Sequence, residues 1–222
     1  MSKHPIIVFE GIEGSGKTTH VNLVTRYLKK HKFKFLKIRE PGGSFNSEKI
    51  RKIILNNKST FNKKTDLLLY MAARSENIES IIKKNYTKKI LLIDRFVDST
   101  LAYQHYGMGL DKNVVNDLNK FLLGNIKPNL TFLNIVSLSN LKKRLKIRKN
   151  KNRYDKFNYN FYSKVQKGFL KIAKNKKNYF IIDSNIDIKL NSKKIIDILK
   201  KKYFNKWILH NKIKFMDMIK FY

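Results

Sequence analysis

The sequence predicts an α/β fold, a five-stranded parallel sheet with helices on both faces and a short basic lid. Three observations carry that prediction. An apolar run from Pro5 to Phe9 leads into a glycine-rich turn and then a helical pattern from Val21 to Lys30. A second run, Ile90-Leu91-Leu92-Ile93, is apolar at every position, as suits a central parallel strand buried on both faces. Further along, strand-like runs alternate with helical patterns, the order from which parallel sheets are built.

Taken in order, the first strand ends in Phe9-Glu10-Gly11-Ile12-Glu13-Gly14-Ser15-Gly16-Lys17-Thr18-Thr19. Gly11-x4-Gly16-Lys17-Thr18 has the full spacing of a phosphate-binding loop, with a strand before it and a helix after it. Glycines let the backbone turn tightly so that successive N–H groups point inward at phosphate oxygens. The helix opening at Lys17 adds its positive end. Gly11 to Thr19 are therefore the expected nucleoside triphosphate contacts, with Lys17 on the β- and γ-phosphates and the Thr18 hydroxyl on Mg²⁺. This motif places the chain in the P-loop NTPase fold.

Phe33 to Ile38 reads as the second strand, running into the turn Arg39-Glu40-Pro41-Gly42-Gly43. Glu48 to Leu55 is a short helix with Arg51 on its polar face. Asp66 to Ile82 is a longer helix whose apolar side is Leu67, Leu68, Met71, Ile78, Ile81 and Ile82. Tyr70 and Arg74 share one face of it, and a ligand-binding pair or a core tyrosine beside a surface arginine fits that spacing equally. The Ile90 run ends in Asp94, where a carboxylate beside a phosphate loop supports Mg²⁺, and Arg95 follows at the strand edge where ligands gather.

A polar and aromatic segment, Ser99 to Gln104, is closed by Gly107 and Gly109. Asp111 to Leu123 reads as a helix and Leu130 to Val136 as a strand, and Ser139 caps a helix through Arg148. Lys149 to Asn152 is a polar break. Tyr159 to Ala173 is helical, Tyr179 to Ile182 is a strand ending in Asp183, and Ser192 opens a last helix.

Composition sets the outer bounds. The 222 residues suit one well-buried domain, with no repeat or linker to divide it. There is no cysteine, which removes disulfides and thiolate metal sites and fits a reducing interior. Without an h-region or an apolar stretch of ~20 residues, a soluble cytoplasmic protein is expected. The net charge of +33 invites a nucleic-acid partner, but the lysines are spread along the chain alongside abundant Asn, Ile, Phe and Tyr. A nucleic-acid footprint gathers on one face, so no such partner is expected. Against forty-one lysines the eight arginines stand out, because only a guanidinium offers a planar fork for phosphate.

With these residues in place the chain resembles the bacterial-type thymidylate kinases. The resemblance rests on the Glu-Gly-x-Glu-Gly-x-Gly-Lys-Thr loop, Arg39-Glu40-Pro41-Gly42-Gly43, Tyr70-x3-Arg74 and Asp94-Arg95. It also rests on Thr100-x2-Tyr103-Gln104, Pro128-Asn129-Leu130-Thr131 and the basic stretch Arg144 to Arg153. It covers about residues 5 to 200 in order and implies transfer of the γ-phosphoryl of ATP to dTMP with Mg²⁺, by a homodimer. A domain over residues 1–202 is implied, with its lid at about 144–157, followed by an extension over 203–222.

The resemblance implies that Arg95, helped by Arg39, holds the dTMP phosphate, and that Tyr70 stacks on thymine while Arg74 bonds a base oxygen. Thr100 and Gln104 would read the other polar edge. Glu13 would contact the sugar 3′-hydroxyl, with Tyr103 against the deoxyribose where a 2′-hydroxyl would clash. Because the loop carries no arginine, the lid must supply the catalytic one. Arg148 and Arg153 are the candidates, with Arg144 behind them on ATP.

The chain departs from the pattern at Asn152 and Asn134, where acidic residues are common; lid anchoring is in question there, and no phosphate contact is lost. The extension carries Phe204, Trp207, Ile208, Phe215, Met218, Ile219 and Tyr222 at roughly helical spacing. It suits docking on the domain or a second subunit better than a membrane surface. Two rivals stand beside this reading. One is another nucleotide or nucleoside kinase of the same fold, and the other is a basic nucleic-acid-binding ATPase. The first would want different residues at 70, 74 and 104. The second would want a carboxylate where Arg95 stands.

Overall fold

The computed structural model describes residues 4–149 and 151–204. Its sheet has five strands in the order β2-β3-β1-β4-β5. These are β1 (Ile6–Glu10), β2 (Phe35–Arg39), β3 (Ile90–Asp94), β4 (Leu130–Ile135) and β5 (Tyr179–Asp183). Every neighbouring pair is parallel, so the five C-terminal ends share one edge. Phe9 and Arg39 both lie level with Asp94 there.

Alternation along β1 shows why its run had to be apolar throughout. Ile7 and Phe9 face one layer, packing with Val21, Val24 and Leu28 of α1 (Lys17–Lys30) and with Ile195 and Leu199 near the chain's end. Ile6 and Val8 face the other, with Ile78, Ile82 and Phe96. Burying each such side chain contributes roughly 1.5–3 kcal/mol.

The predicted strands are all present, and the differences lie at element ends. Strand β2 starts at Phe35 because Phe33 still closes the turn after α1, its N–H donating to the Leu28 carbonyl at 3.0 Å. Helix α2 (Phe45–Leu55) starts earlier than its apolar pattern, under the Ser44 cap. Helix α3 (Lys63–Asn77) is capped by Asn62 and then widens into a π-turn, Ile78–Ile82, before the short α4 (Lys83–Asn85). Its apolar side is turned inward at Leu67, Met71, Ile78 and Ile82, whereas Leu68 is 57% exposed and does not belong to that side.

The segment around Ser99–Gln104 is helical, as α5 (Val97–Thr100) running into a π-helix over Leu101–Gly107. Helix α6 (Lys112–Leu123) follows an Asp111 cap. Helix α7 (Leu138–Lys146) is capped by Ser137, not Ser139, and ends before Arg148. Helix α8 (Tyr159–Ala173) matches its pattern; α9 (Ile188–Leu199) begins under Asp187, a turn before Ser192. Phe204 is buried, its ring 5.8 Å from Tyr27 and 4.6 Å from Phe33. The rest of the expected extension, including Trp207, Phe215 and Tyr222, lies outside the described residues. Among the described residues no helix is long and apolar enough to cross a membrane.

Candidate active site

A cavity of about 680 Å³ opens at the C-terminal edge of the sheet. Its floor is the loop between β1 and α1. Gly11, Gly14 and Gly16 take φ of 139°, 65° and 82°, values that L side chains adopt rarely. A Cβ on Gly11 would lie 2.2 Å from the Asn134 carbonyl oxygen, so the loop can run against β4 only without a side chain there. No side chain caps α1 at Gly16. The N-terminus of α1 thus faces the cavity as an anion site.

Lys17 is 6% exposed and its ammonium donates to the Ile12 carbonyl at 2.7 Å. Burial, reinforced by the Arg95 charge, pushes its pKa down to about 7. The Thr18 hydroxyl donates to Asp94 Oδ2 at 3.0 Å, so the two expected Mg²⁺ ligands do meet. Among the described residues no group of three or more acidic, His or Cys side chains forms a metal cage. Two hard oxygen donors beside a phosphate loop fit Mg²⁺, which binds through one or two protein oxygens and the phosphates of its substrate.

Arg95 sits just past β3 with φ 68°. Its guanidinium donates to the Gly11 carbonyl at 2.9 Å and to Glu13 Oε1 at 2.8 Å, across the loop from Lys17. Burial alone would raise the Glu13 carboxyl, but the Arg95 and Lys17 charges and the Tyr103 hydroxyl outweigh it and hold it low. Tyr103 donates to the other Glu13 oxygen and lies under Arg95, 5.2 Å from guanidinium to ring centroid. Behind them Glu10 accepts from the Phe96 N–H at 2.8 Å and from Ser99, tying down the backbone after Arg95.

Arg39 lines the same wall, paired at its exposed tip with Glu48 at 2.9 Å. Tyr70, Thr100 and Gln104 line the far end. Thr100 Oγ1 and Gln104 Oε1 are buried there without a hydrogen-bond partner. Arg144 bridges the loop to the β5–α9 turn, donating to the carbonyls of Gly14 at 2.7 Å and Ser184 at 2.6 Å. Arg148 lines the cavity and pairs with Asp155 at 2.6 Å.

Two expected contacts are placed elsewhere. Arg74 does not line the cavity and is no surface residue either, being 2% exposed. Its guanidinium is held by Glu40 at 2.8 Å, Asn119 at 2.6 Å and the Phe96 carbonyl at 3.0 Å. In this structure its guanidinium is therefore engaged by groups of the protein itself. Arg153 likewise points away from the cavity, paired with Asp66 and donating to the Ile54 carbonyl at 3.0 Å. Among the lid candidates Arg144 and Arg148 line the cavity and Arg153 does not.

Other lining residues went unread. Arg51 lines the cavity from α2, held on the Pro41 carbonyl; its rarity among lysines was the available signal. His20 sits on the second turn of α1, its Nδ1 2.5 Å from Asn134 Oδ1, and burial lowers its pKa. Ser184 and Ile186 come from the β5–α9 turn and Ile188 and Asn191 from the first turn of α9, and nothing in their local pattern marks them.

Known proteins resemble this chain in sequence and fold. A thymidylate kinase in Sulfurihydrogenibium sp. (strain YO3AOP1) is 43% identical over 199 residues, covering 88% of this chain and 97% of its own. Another in Thermosipho africanus (strain TCF52B) is 42% identical over 183 residues, covering 82% and 90%. The crystal structure of thymidylate kinase from Ehrlichia chaffeensis superposes with a TM-score of 0.72 at 32% identity, covering 89% of this chain and 98% of that one. The sequence model of thymidylate kinase matches residues 9–195, from the last apolar residues of β1 into α9. Loop, sheet order and similarity over most of the chain agree, and the chain belongs to the thymidylate kinase family.

Proposed function

We infer that this chain transfers the γ-phosphoryl group of ATP to dTMP, giving dTDP and ADP. The observation that carries the reading is the shared cavity of Lys17 and Arg95. A triphosphate lying on the amides of the Gly11–Thr19 loop and a monophosphate gripped by Arg95 meet end to end. The acceptor phosphate is already an anion, so the task is alignment and neutralisation, with no general base required.

In this reading Lys17 neutralises the β- and γ-phosphates. Arg95 orients the acceptor, with Arg39 and Arg51 beside it. Arg148 meets the charge that develops on the transferred group. Mg²⁺ would be held by Thr18 and Asp94 and would supply charge neutralisation at the phosphate oxygens. Glu13, pinned between Arg95 and Tyr103, stands where the sugar 3′-hydroxyl can donate to it, with the Tyr103 ring against the deoxyribose. Tyr70 provides the face for the base, and the unpartnered Thr100 and Gln104 oxygens support a polar pyrimidine edge there. Arg144 and the β5–α9 turn take the adenine end of ATP.

The working protein is read as a homodimer. The inward side of α3 is already used within the chain, and the exposed Val114 and Phe121 of α6 offer a surface for a second copy. The reading is tested by offering each nucleoside monophosphate with ATP and Mg²⁺ and following ADP. dTMP is expected to be the preferred acceptor, and preference for a purine monophosphate would overturn the assignment.

A further inference from the structure

We propose that Asp66, which lies outside the cavity, is a positioning residue that fixes the polarity of the Gln104 amide and so sets which pyrimidine the site accepts. The inference rests on the reading that the Tyr70 end of the cavity takes a pyrimidine base. Asp66 is 1% exposed and sits one helical turn before Tyr70 on α3. Three groups converge on its carboxylate, and all three are donors. They are the Arg153 guanidinium, the Tyr154 hydroxyl at 2.6 Å and Gln104 Nε2 at 3.1 Å.

An ionised carboxylate accepts and cannot donate. The Arg153 guanidinium, itself only a donor, pairs with that carboxylate. Gln104 therefore has to turn its NH₂ toward Asp66, which leaves Oε1 on the cavity side. That oxygen is the buried acceptor found without a partner. The orientation follows from the chemistry of the carboxylate.

A fixed acceptor at that place demands a donor from the base. Thymine and uracil carry a proton on N3. Cytosine carries a lone pair on N3, which would face the Gln104 oxygen and leave both unpaired. A buried polar group left unpaired costs about 1–3 kcal/mol, which is roughly fivefold to 150-fold in specificity. The device is clamped from the turn Arg153–Lys156, because Arg153 and Tyr154 both come from it. The same turn holds Asp155, which engages Arg148. Base reading and the placement of the cavity's lid arginine are thus anchored on one short segment.

The test compares kcat/KM for dTMP and 5-methyl-dCMP, which differ only at N3 and the exocyclic group on C4. Wild type is expected to prefer dTMP strongly. In Asp66→Asn the neighbour can both donate and accept, the Gln104 amide can turn, and the preference should fall about tenfold or more while KM for ATP stays near wild type. Asp66→Ser, smaller and equally able to donate, should show the same narrowing if Asp66→Asn folds poorly. Tyr154→Phe removes one donor but keeps the carboxylate, and should narrow the preference less than Asp66→Asn does. Asp66 variants that lose activity on both nucleotides equally would show a purely structural residue and overturn the proposal. A wild-type enzyme active on dTMP with no preference over 5-methyl-dCMP would also overturn it, at the level of Gln104. Failure of wild type to use dTMP at all would instead strike the reading of the site.

Discussion

Arg95 carries two demands at once. Its fork spans the Gly11 carbonyl and the Glu13 carboxylate, and it lines the cavity beside Lys17. A lysine would keep the charge and lose the fork. Arg95→Lys is expected to lower kcat by about 10²-fold or more, with ATP affinity by calorimetry nearly unchanged. Unaltered turnover would remove Arg95 from the mechanism. Glu10, behind it, makes a prediction about pH. Burial first, then the Asp98 charge, pushes its carboxyl from 4.5 up to about 7, against the Ser99 and Phe96 donors. The folded state holds that proton more tightly than the unfolded state does. Its contribution is thus full below pH 4.5 and is lost as pH rises through about 7. Glu10→Gln keeps an acceptor for Phe96 and removes the titration. Relative to wild type it should gain stability across that window, on the order of 3 kcal/mol, in denaturant unfolding at pH 5 and 7.5. A constant difference between the two proteins would put the titration elsewhere. At this scale the sequence was informative wherever a motif fixed a backbone position. Lys17, Thr18, Asp94 and Arg95 fall where their spacing put them. Arg74 and Arg153 do not, because a motif names a residue without naming its partners. Glu40 and Asp66 lie 34 and 87 positions away from the guanidinium that each one engages.

Among the elements, the strands were legible because burial on both faces leaves an unbroken apolar run, and β3 matches to the residue. Helix starts were less legible. Several capping residues stand near each one, and the geometry chooses Ser137 over Ser139 and Asp187 over Ser192. The least legible element is the helical stretch Val97–Gly107, whose π-type turns break the 3.6-residue period. It lies along α8, and the contact is set by two glycines. A Cβ on Gly107 would fall 2.7 Å from the Phe161 ring, and one on Gly168 would fall 2.6 Å from the Tyr106 ring. Gly168→Ala therefore sets two effects against each other. Helix propensity favours alanine by roughly 1 kcal/mol, while forcing a methyl into a packed crossing costs about 1–3 kcal/mol. The atoms it meets include Tyr106 Cβ and Cγ, the near end of the side chain, which cannot swing aside without moving the backbone, so packing is expected to win. A net loss of stability with a raised KM for dTMP should follow, because Tyr103 and Gln104 ride on the displaced segment. A more stable Gly168→Ala protein with unchanged KM would show that the crossing can yield.

For the molecule as a whole the governing quantity is its charge. At +33 the chain repels another copy of itself, yet the dimer reading asks two copies to meet on an apolar stripe. Hydrophobic periodicity could not have located that stripe, since it marks apolar positions in α3 and α6 without saying which face inward. In the structure Val115 and Leu67 do, whereas Phe121 stays 82% exposed and Val114 51% exposed. If apolar contact drives association and charge opposes it, salt must strengthen the dimer. The screening length falls from ~30 Å at 0.01 M to ~3 Å at 1 M, which weakens the repulsion and leaves the apolar contact intact. Sedimentation velocity across that range should show the dimer fraction rising with salt. Phe121→Lys, which removes the largest apolar group and adds a charge close to its symmetry mate, should remain monomeric at concentrations where wild type is dimeric. Association that weakens with salt would mean that ion pairs hold the copies together, and a Phe121→Lys dimer as tight as wild type would place the interface on another face.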